Sequence, residues 1–484
     1  MKDRSASFPL LFSVLTLASV AFGGAARAQE PAPPADPPAE TEPAATDETE
    51  APKSVDERLD EIDQKLRVLD RRGEIKEEAE AEKAKTATFV TSGKDGFSLK
   101  SADGAFVLKL RGYVQFDARL FSDDRARPNV DTFLLRRVRP IFEGTVFDRF
   151  DFRIMPDFGQ GTSTLFDAYV EGRFTPYFKV RAGKFKPPVG LERLQGATDI
   201  FFVERALPTN LVPNRDLGVQ ISGDLAGGRA NYAVGAFNGV VDGANGGDLD
   251  SNSGKDLAAR LFFTPFVKSE NPALRGLGFG VSASQGTQNG TTAATGLPSY
   301  RTDAQQTFFS YRSDGTAAGT VIANGDRKRL SPQLYWYGSR FGLLSEYAIA
   351  SQEVRRGAVA ADLENKSWQV AGSWVIAGGS PSYRGVAPKK NFDPKAKTWG
   401  AFELVGRYSE LDVDDDAFPV FASPTSAASS AKALGFGLNW YFNRSVRFMF
   451  DLVQTRFDGG GVAGSAVGDR PDEKVVLSRF QINF

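Results

Sequence analysis

Basic side chains at alternate positions are the residues of this sequence best suited to binding a ligand. Lys109 and Arg111 form one such pair, and Arg137 and Arg139 form another. Alternate side chains of an extended strand point to the same face, so each pair would place two positive charges on one wall. Arginine offers phosphate oxygens a planar fork of N–H donors, whereas lysine offers a point charge. The spacing therefore predicts binding of small anions.

A second group of cations surrounds a long polar segment, residues 187–215. The group consists of Arg181, Lys184, Lys186, Arg193, Arg205 and Arg215. An anion pathway needs several spaced and moderately weak sites of this kind, because a single tight site would prevent release. Acidic residues such as Asp167 and Glu192 leave an alternative open, in which the cations pair with carboxylates and only brace the fold.

The composition restricts the enzyme classes that are possible. The 484 residues include no His and no Cys, which excludes thiol chemistry, disulfides, imidazole–metal sites and a Ser-His-Asp triad. The sequence also contains no GxxxxGK nucleotide loop and no cluster of metal ligands. We therefore expect a protein that is not an enzyme, with no cofactor, no metal and no nucleic-acid partner.

The elements that would position these cations are β-strands. From Leu108 to Leu120, apolar residues alternate with polar and charged ones, which gives a period of two. In a membrane barrel the apolar face of such a strand meets lipid and the charged face lines a wet lumen. Roughly sixteen segments show this alternation, an even number in the porin range. They are 105–121, 131–148, 149–158, 163–174, 177–186, 216–224, 229–237, 256–266, 274–285, 329–338, 340–352, 364–377, 396–411, 431–442, 444–458 and 472–484.

The connections alternate between short reversals and long polar segments, as in an outer-membrane barrel with turns at one rim and loops at the other. Residues 378–395 break this order, so either the strand count is wrong there or the short-turn rim carries an insertion. Phe484 closes an alternating strand, which is typical of outer-membrane proteins. We predict an all-β fold, a sixteen-stranded antiparallel transmembrane β-barrel preceded by a short coiled-coil helix. A soluble β-sandwich is the alternative.

The pattern changes along the chain predict four regions. These are a signal peptide over 1–28, a disordered Pro/Glu-rich linker over 29–53, a coiled-coil helix over 54–85 and an outer-membrane β-barrel over 97–484. The net charge of the whole chain is −1, but the acidic excess lies before the barrel. Residues 86–484 carry 47 basic and 41 acidic side chains, and this mildly basic balance suits an anion channel.

Several stretches between residues 107 and 285 resemble the phosphate-selective porin family, the porins O and P. The matching stretches are LRGYVQFD at 110–117, RRVR at 136–139, DAYV at 167–170, GKFKPPVGLE at 183–192, ERALP at 204–208, RDLG at 215–218 and FNG at 237–239. Their order and spacing carry the resemblance, rather than any one of them alone.

The resemblance implies a passive channel for small inorganic anions, phosphate or polyphosphate, in a homotrimer. It also implies that the loop after the fifth strand, 187–215, folds into the lumen and narrows it. A general porin, or a porin specific for another solute, remains the alternative function. We expect the protein to lie in the outer membrane of a Gram-negative bacterium, in contact with its lipid, with the N-terminal segment in the periplasm.

Overall fold

The computed structural model describes residues 54–93, 96–122, 129–247, 250, 252–463 and 466–484. The predicted signal peptide and linker lie outside these residues. No described helix is long and apolar enough to cross a membrane.

In the described part of the chain, sixteen antiparallel strands close into one barrel, which confirms the predicted fold class and strand number. The strands are β1 (Val107–Ser122), β2 (Thr132–Val146), β3 (Phe150–Asp157), β4 (Thr164–Thr175), β5 (Phe178–Phe185), β6 (Asp216–Leu225), β7 (Ala230–Phe237), β8 (Asp256–Phe263), β9 (Leu277–Asn289), β10 (Val321–Gly338), β11 (Phe341–Arg356), β12 (Val359–Ala377), β13 (Ala401–Asp412), β14 (Ala428–Tyr441), β15 (Val446–Ala463) and β16 (Glu473–Asn483).

The barrel closes where β16 pairs with β1, from Lys474 opposite Ser122 to Asn483 opposite Tyr113. Beyond this ladder, the backbone N–H of Phe484 donates to the carbonyl oxygen of Gly112 at 3.0 Å. A Cβ atom at Gly112 would lie 2.8 Å from the Phe484 ring, so the close approach requires glycine at this position. The chain therefore leaves no free edge at the seam.

The two faces of β1 follow the predicted period of two. Leu110 and Phe116 face outward and are 40 % and 45 % exposed, as expected for side chains that meet lipid. Gln115, Asp117 and Arg119 point into the lumen and are buried. These three lumenal side chains are thus packed against other protein groups rather than open to bulk water.

One rim carries short turns between strands, such as residues 339–340, and the other carries long loops, such as 290–320. Residues 378–400 form an insertion at the short-turn rim, where Phe392–Asp393 pairs with Thr398–Trp399. The strand count is therefore right, and the insertion explains the broken alternation.

Two elements precede β1. Helix α1 spans Val55–Thr86 and begins with a capping box, in which the Ser54 backbone N–H donates to Glu57 Oε2 at 2.9 Å and the Glu57 N–H donates to Ser54 Oγ at 3.3 Å. An apolar seam runs along this helix at alternating spacings of four and three residues, and all its members are more than half exposed: Val55, Leu59, Ile62, Leu66 and Leu69. A hairpin of Phe89–Gly93 and Gly96–Lys100 then pairs with the start of β1.

Candidate functional site

The segment between β5 and β6, residues 186–215, is called the lumen loop here because side chains of distant barrel strands hold it inside the barrel. On β11, the Glu346 carboxylate accepts the backbone N–H of Leu191 at 2.7 Å. On β15, the Asp451 carboxylate accepts the backbone N–H of Val203 at 2.6 Å. The lumen loop therefore crosses the channel, in the position that the family resemblance implied.

Elements from both rims contact the lumen loop. From the long-loop rim, Asn210 and Arg301 exchange two hydrogen bonds of 3.0 Å, with the Asn210 side chain as donor and acceptor. From the short-turn rim, the insertion contributes Tyr383, whose hydroxyl donates to the Leu191 carbonyl oxygen at 2.8 Å. These contacts fix the lumen loop from above and below.

Two cavities border the lumen loop in the described part of the barrel. The inner cavity, toward the short-turn rim, has a volume of about 670 Å³. The outer cavity, toward the long loops, has a volume of about 460 Å³. Arg215 lines both of them. It is the one residue that the two described linings share.

Both cavities are strongly basic. Among the described residues, each is lined by seven basic and two acidic side chains. The basic lining of the inner cavity is Arg111, Arg153, Arg181, Lys186, Arg215, Arg260 and Arg384. The basic lining of the outer cavity is Arg136, Arg137, Arg139, Arg193, Arg205, Arg215 and Arg301. This excess of positive charge favours anions over cations in both compartments.

Some of these cations are paired with carboxylates, as the bracing alternative anticipated. Arg139 Nη2 lies 2.7 Å from Asp157, and Arg215 Nε lies 3.1 Å from Asp167. Two more pairs have the same character: Arg181–Glu171 at 2.7 Å and Arg111–Glu143 at 3.0 Å. The neighbouring carboxylate partly cancels the charge of each of these cations. Their main effect is therefore to brace the barrel wall.

Glu204 of the lumen loop is the centre of a buried arginine cluster. Its carboxylate receives Arg136 Nε at 2.5 Å and Arg479 Nη2 at 3.3 Å, while Arg137 and Arg119 lie within 3.6 Å. Burial raises the pKa of Glu204, but the surrounding guanidinium groups outweigh it and hold the pKa well below its ordinary value. One carboxylate thus orients several arginines that it cannot neutralise.

Arg136 reaches this cluster through a β-bulge. Gln115 of β1 pairs with Arg137, and the next residue, Phe116, pairs with Leu135, which leaves Arg136 as the extra residue. In a strand without a bulge, Arg136 would face outward when Arg137 faces inward. The bulge turns both side chains to the lumen.

Three cations of the lumen loop are held by neutral carbonyl groups instead of carboxylates. Lys186 Nζ donates to Gln195 O at 2.8 Å, and Arg205 donates to the carbonyl oxygens of Glu192 and Gln195 at 3.0 and 2.8 Å. Arg193 donates to the carbonyl oxygen of Thr209. None of the three has a described carboxylate in ion-pair contact, so their positions are fixed without a direct ion pair.

The structure does not bring two of the sequence-predicted cations to either cavity lining. Lys109 lies opposite Glu143 in the ladder between β1 and β2. Lys184 is buried near the end of β5, only 4 % exposed, but it is not among the lining residues described for either cavity.

Besides Arg136, four lining cations are absent from the sequence-predicted set. Arg260 shares a face with Phe262 on β8 and could have been found from the alternation, as could Arg153 on β3. Arg301 and Arg384 lie in connections without a period, so strand alternation could not place them. Arg260 donates to the side-chain oxygen of Gln333 at 2.9 Å and has no described ion pair.

The chain is similar to known outer-membrane porins in sequence and in fold. The family described as phosphate-selective porin O and P matches residues 108–484. Porin O of Pseudomonas aeruginosa is 22 % identical over 397 residues, which cover 77 % of this chain and 88 % of that protein.

Solved structures of similar fold include the outer membrane channel DcaP of Acinetobacter baumannii, at 13 % identity and a TM-score of 0.49, covering 81 % of this chain and 99 % of that one. An anion-selective porin from Comamonas acidovorans matches at 11 % identity and a TM-score of 0.47, covering 78 % of this chain and 100 % of that one. On the family match over residues 108–484, this chain belongs to the phosphate-selective porin O and P family and is a porin of the outer membrane.

Proposed function

We propose that this porin conducts small anions, phosphate or polyphosphate among them, along the route from the outer cavity past Arg215 to the inner cavity. The observation that carries the proposal is the set of cations held without carboxylates. Arg193, Arg205 and Arg301 supply such charges in the outer cavity, and Lys186, Arg260 and Arg384 supply them in the inner one. The family and the barrel indicate a channel rather than an enzyme.

The physical basis is replacement of hydration. An anion that enters a narrow, low-dielectric passage loses part of its water shell, and fixed N–H donors must take the place of that shell. Six spaced charges do this without a single deep well, because each site is weak enough to release the ion to the next. Guanidinium groups predominate among them, and their paired N–H donors match oxyanions better than they match chloride.

Phosphate preference is tested by conductance in planar bilayers. We expect chloride current through the purified porin to fall when millimolar phosphate is added, because phosphate occupies the shared route. Arg301→Gln should weaken this block, whereas Lys366→Gln, an exposed residue paired with Glu364, should leave it unchanged. Equal insensitivity of all three proteins to phosphate would favour a general porin or a porin for another solute.

The helix and the assembly are a separate proposal. We infer that α1 forms a coiled coil with copies of itself and reinforces a homotrimer, because its apolar seam is exposed along the isolated helix. Ile62→Glu combined with Leu66→Glu should then weaken the trimer on gel filtration, and Lys65→Glu on the solvated face should not. A chain lacking residues 29–85 that still elutes as an unchanged trimer would contradict this proposal.

A further inference from the structure

The outer arm of the insertion, residues 389–399, is a defined hairpin that has no place in the anion route. Its strands are Phe392–Asp393 and Thr398–Trp399. Asp393 Oδ1 accepts the backbone N–H groups of Lys395 and Ala396 at 2.8 and 3.2 Å, which closes the tip. We call this segment the basic lobe. A role in lining the pore does not account for the defined structure of the basic lobe.

An aromatic cluster joins the basic lobe to the outer face of the barrel. Phe392 and Trp399 contact Trp440, with ring centroids 5.5 and 6.4 Å away, and the Trp440 indole N–H donates to the Trp399 carbonyl oxygen at 2.7 Å. Phe442 stacks on Trp440 at 4.1 Å. Phe402 adds a further stacked ring at 5.5 Å.

Trp440 marks the edge of the lipid-facing surface. It shares the outward face of β14 with Leu434, Phe436 and Leu438, which are 45 %, 59 % and 37 % exposed. Trp440 is the last of this series before the short-turn rim. Aromatic rings at this depth occupy the zone between hydrocarbon and headgroups, so the basic lobe lies at headgroup level.

The charge of the basic lobe is one-sided. Lys389, Lys390, Lys395 and Lys397 are all exposed, and none of them has an ion pair with a described residue. The one acidic residue in the segment, Asp393, is occupied by the backbone of the tip. Four ammonium groups beside an aromatic platform match a negatively charged surface of phosphate groups.

We propose that the basic lobe binds the headgroups of anionic phospholipids in the leaflet at the short-turn rim. The lysines would contact headgroup phosphates while the aromatic cluster packs against the upper part of the acyl chains. This inference does not depend on which anion the pore conducts, since the lobe lies outside both cavity linings.

Native mass spectrometry of the full porin tests the proposal. The protein is exchanged from vesicles of phosphatidylglycerol and phosphatidylethanolamine in equal parts, and retained lipids are counted. We expect wild type to retain phosphatidylglycerol preferentially. In a combined variant, the ratio of retained phosphatidylglycerol to phosphatidylethanolamine should fall about tenfold. This variant carries Lys389→Gln, Lys390→Gln, Lys395→Gln and Lys397→Gln.

The control removes the same charge at the long-loop rim, where exposed lysines are paired with acids. It combines Lys255→Gln, Lys328→Gln, Lys366→Gln and Lys432→Gln. An equal loss of phosphatidylglycerol in both variants, or no preference in wild type, would overturn the proposal. A second result would also overturn it. In that result the full wild-type porin binds purified peptidoglycan, and the lobe variant and the control variant do not differ in the vesicle assay.

Discussion

The hydroxyl of Tyr383 donates a 2.8 Å hydrogen bond to the carbonyl oxygen of Leu191, and this bond joins elements that enter the barrel from opposite rims. The contact is reciprocal, because Gln195 of the lumen loop donates to the Tyr383 carbonyl oxygen at 2.7 Å. The lumen loop is therefore held at its long-loop end by its own strands and in mid-channel by an insertion of the opposite rim. Its position does not depend on the loop sequence alone.

Removing the Tyr383 hydroxyl should loosen the lumen loop. Tyr383→Phe keeps the ring stacked on Tyr335 but leaves the Leu191 carbonyl without this donor, a loss of about 1 kcal/mol. We expect more frequent brief closures in single-channel recordings, with the barrel otherwise intact. Tyr337→Phe is the matched control, because the buried Tyr337 hydroxyl has no hydrogen-bond partner among the described residues. Identical single-channel recordings for the two variants would show that the hydrogen bond between Tyr383 and Leu191 does not hold the lumen loop.

Neutralising Glu204 should destabilise the lumen loop and increase anion preference together. Glu204→Gln leaves the buried guanidinium groups of Arg136, Arg137 and Arg479 without their shared anion, at about 3–5 kcal/mol. Heat-modified mobility on gels should show a lower unfolding temperature, and the reversal potential should move further in the anion direction. Glu143→Gln, at a more exposed carboxylate, should change both quantities less. A stable Glu204→Gln porin would disprove the bracing role.

Arg384 should contribute to selectivity although it lies outside the strands. Arg384→Gln removes one uncancelled charge from the inner cavity, which we expect to weaken anion occupancy by about 1 kcal/mol, or about fivefold. The reversal potential in a salt gradient should move toward zero. Lys109→Gln, a lumen-side substitution away from both described linings, should not move it. Equal shifts in the two variants would mean that general charge, not the cavity, sets selectivity.

The seam between β1 and β16 should depend on Asp117 and Arg479. The two residues face each other in the ladder, both are fully buried, and they share hydrogen bonds of 2.6 and 2.7 Å. Asp117→Asn should lower the unfolding free energy by about 3–5 kcal/mol in urea titrations of the folded barrel. Asp151→Asn breaks the exposed pair with Arg173 and should have an effect below about 1 kcal/mol. Comparable effects would show that the seam pair is not special.

The strands were predictable because their signal is local. Each alternation between lipid and lumen can be read within ten residues or so, and the strand number followed from counting these segments. The bulge at Arg136 could not be located from the alternation, since a two-residue period cannot say where an extra residue is accommodated.

The state of each cation was not predictable. The sequence alone does not distinguish Arg139 from Arg193 as a paired or an unpaired cation. In the structure, Arg139 pairs with Asp157, whereas Arg193 donates to a backbone carbonyl oxygen. The difference depends on how the lumen loop folds across the channel, and that path is set by contacts with distant strands such as β11 and β15. The length of residues 378–395 indicated either an insertion or a wrong strand count, and length alone could not decide between them. Arg384 acquires its role from the inner cavity that it lines, and Tyr383 acquires its role from the lumen loop that it contacts.

Arg215 lines both cavities, so on the proposed route every anion passes this one guanidinium group. On that route, ions from either side would compete for the same guanidinium group, and at high concentration they would have to pass it one at a time. The anion flux should then reach a maximum as the solute concentration rises, instead of increasing in proportion to it. A pore without moving parts can saturate in this way, as a carrier does.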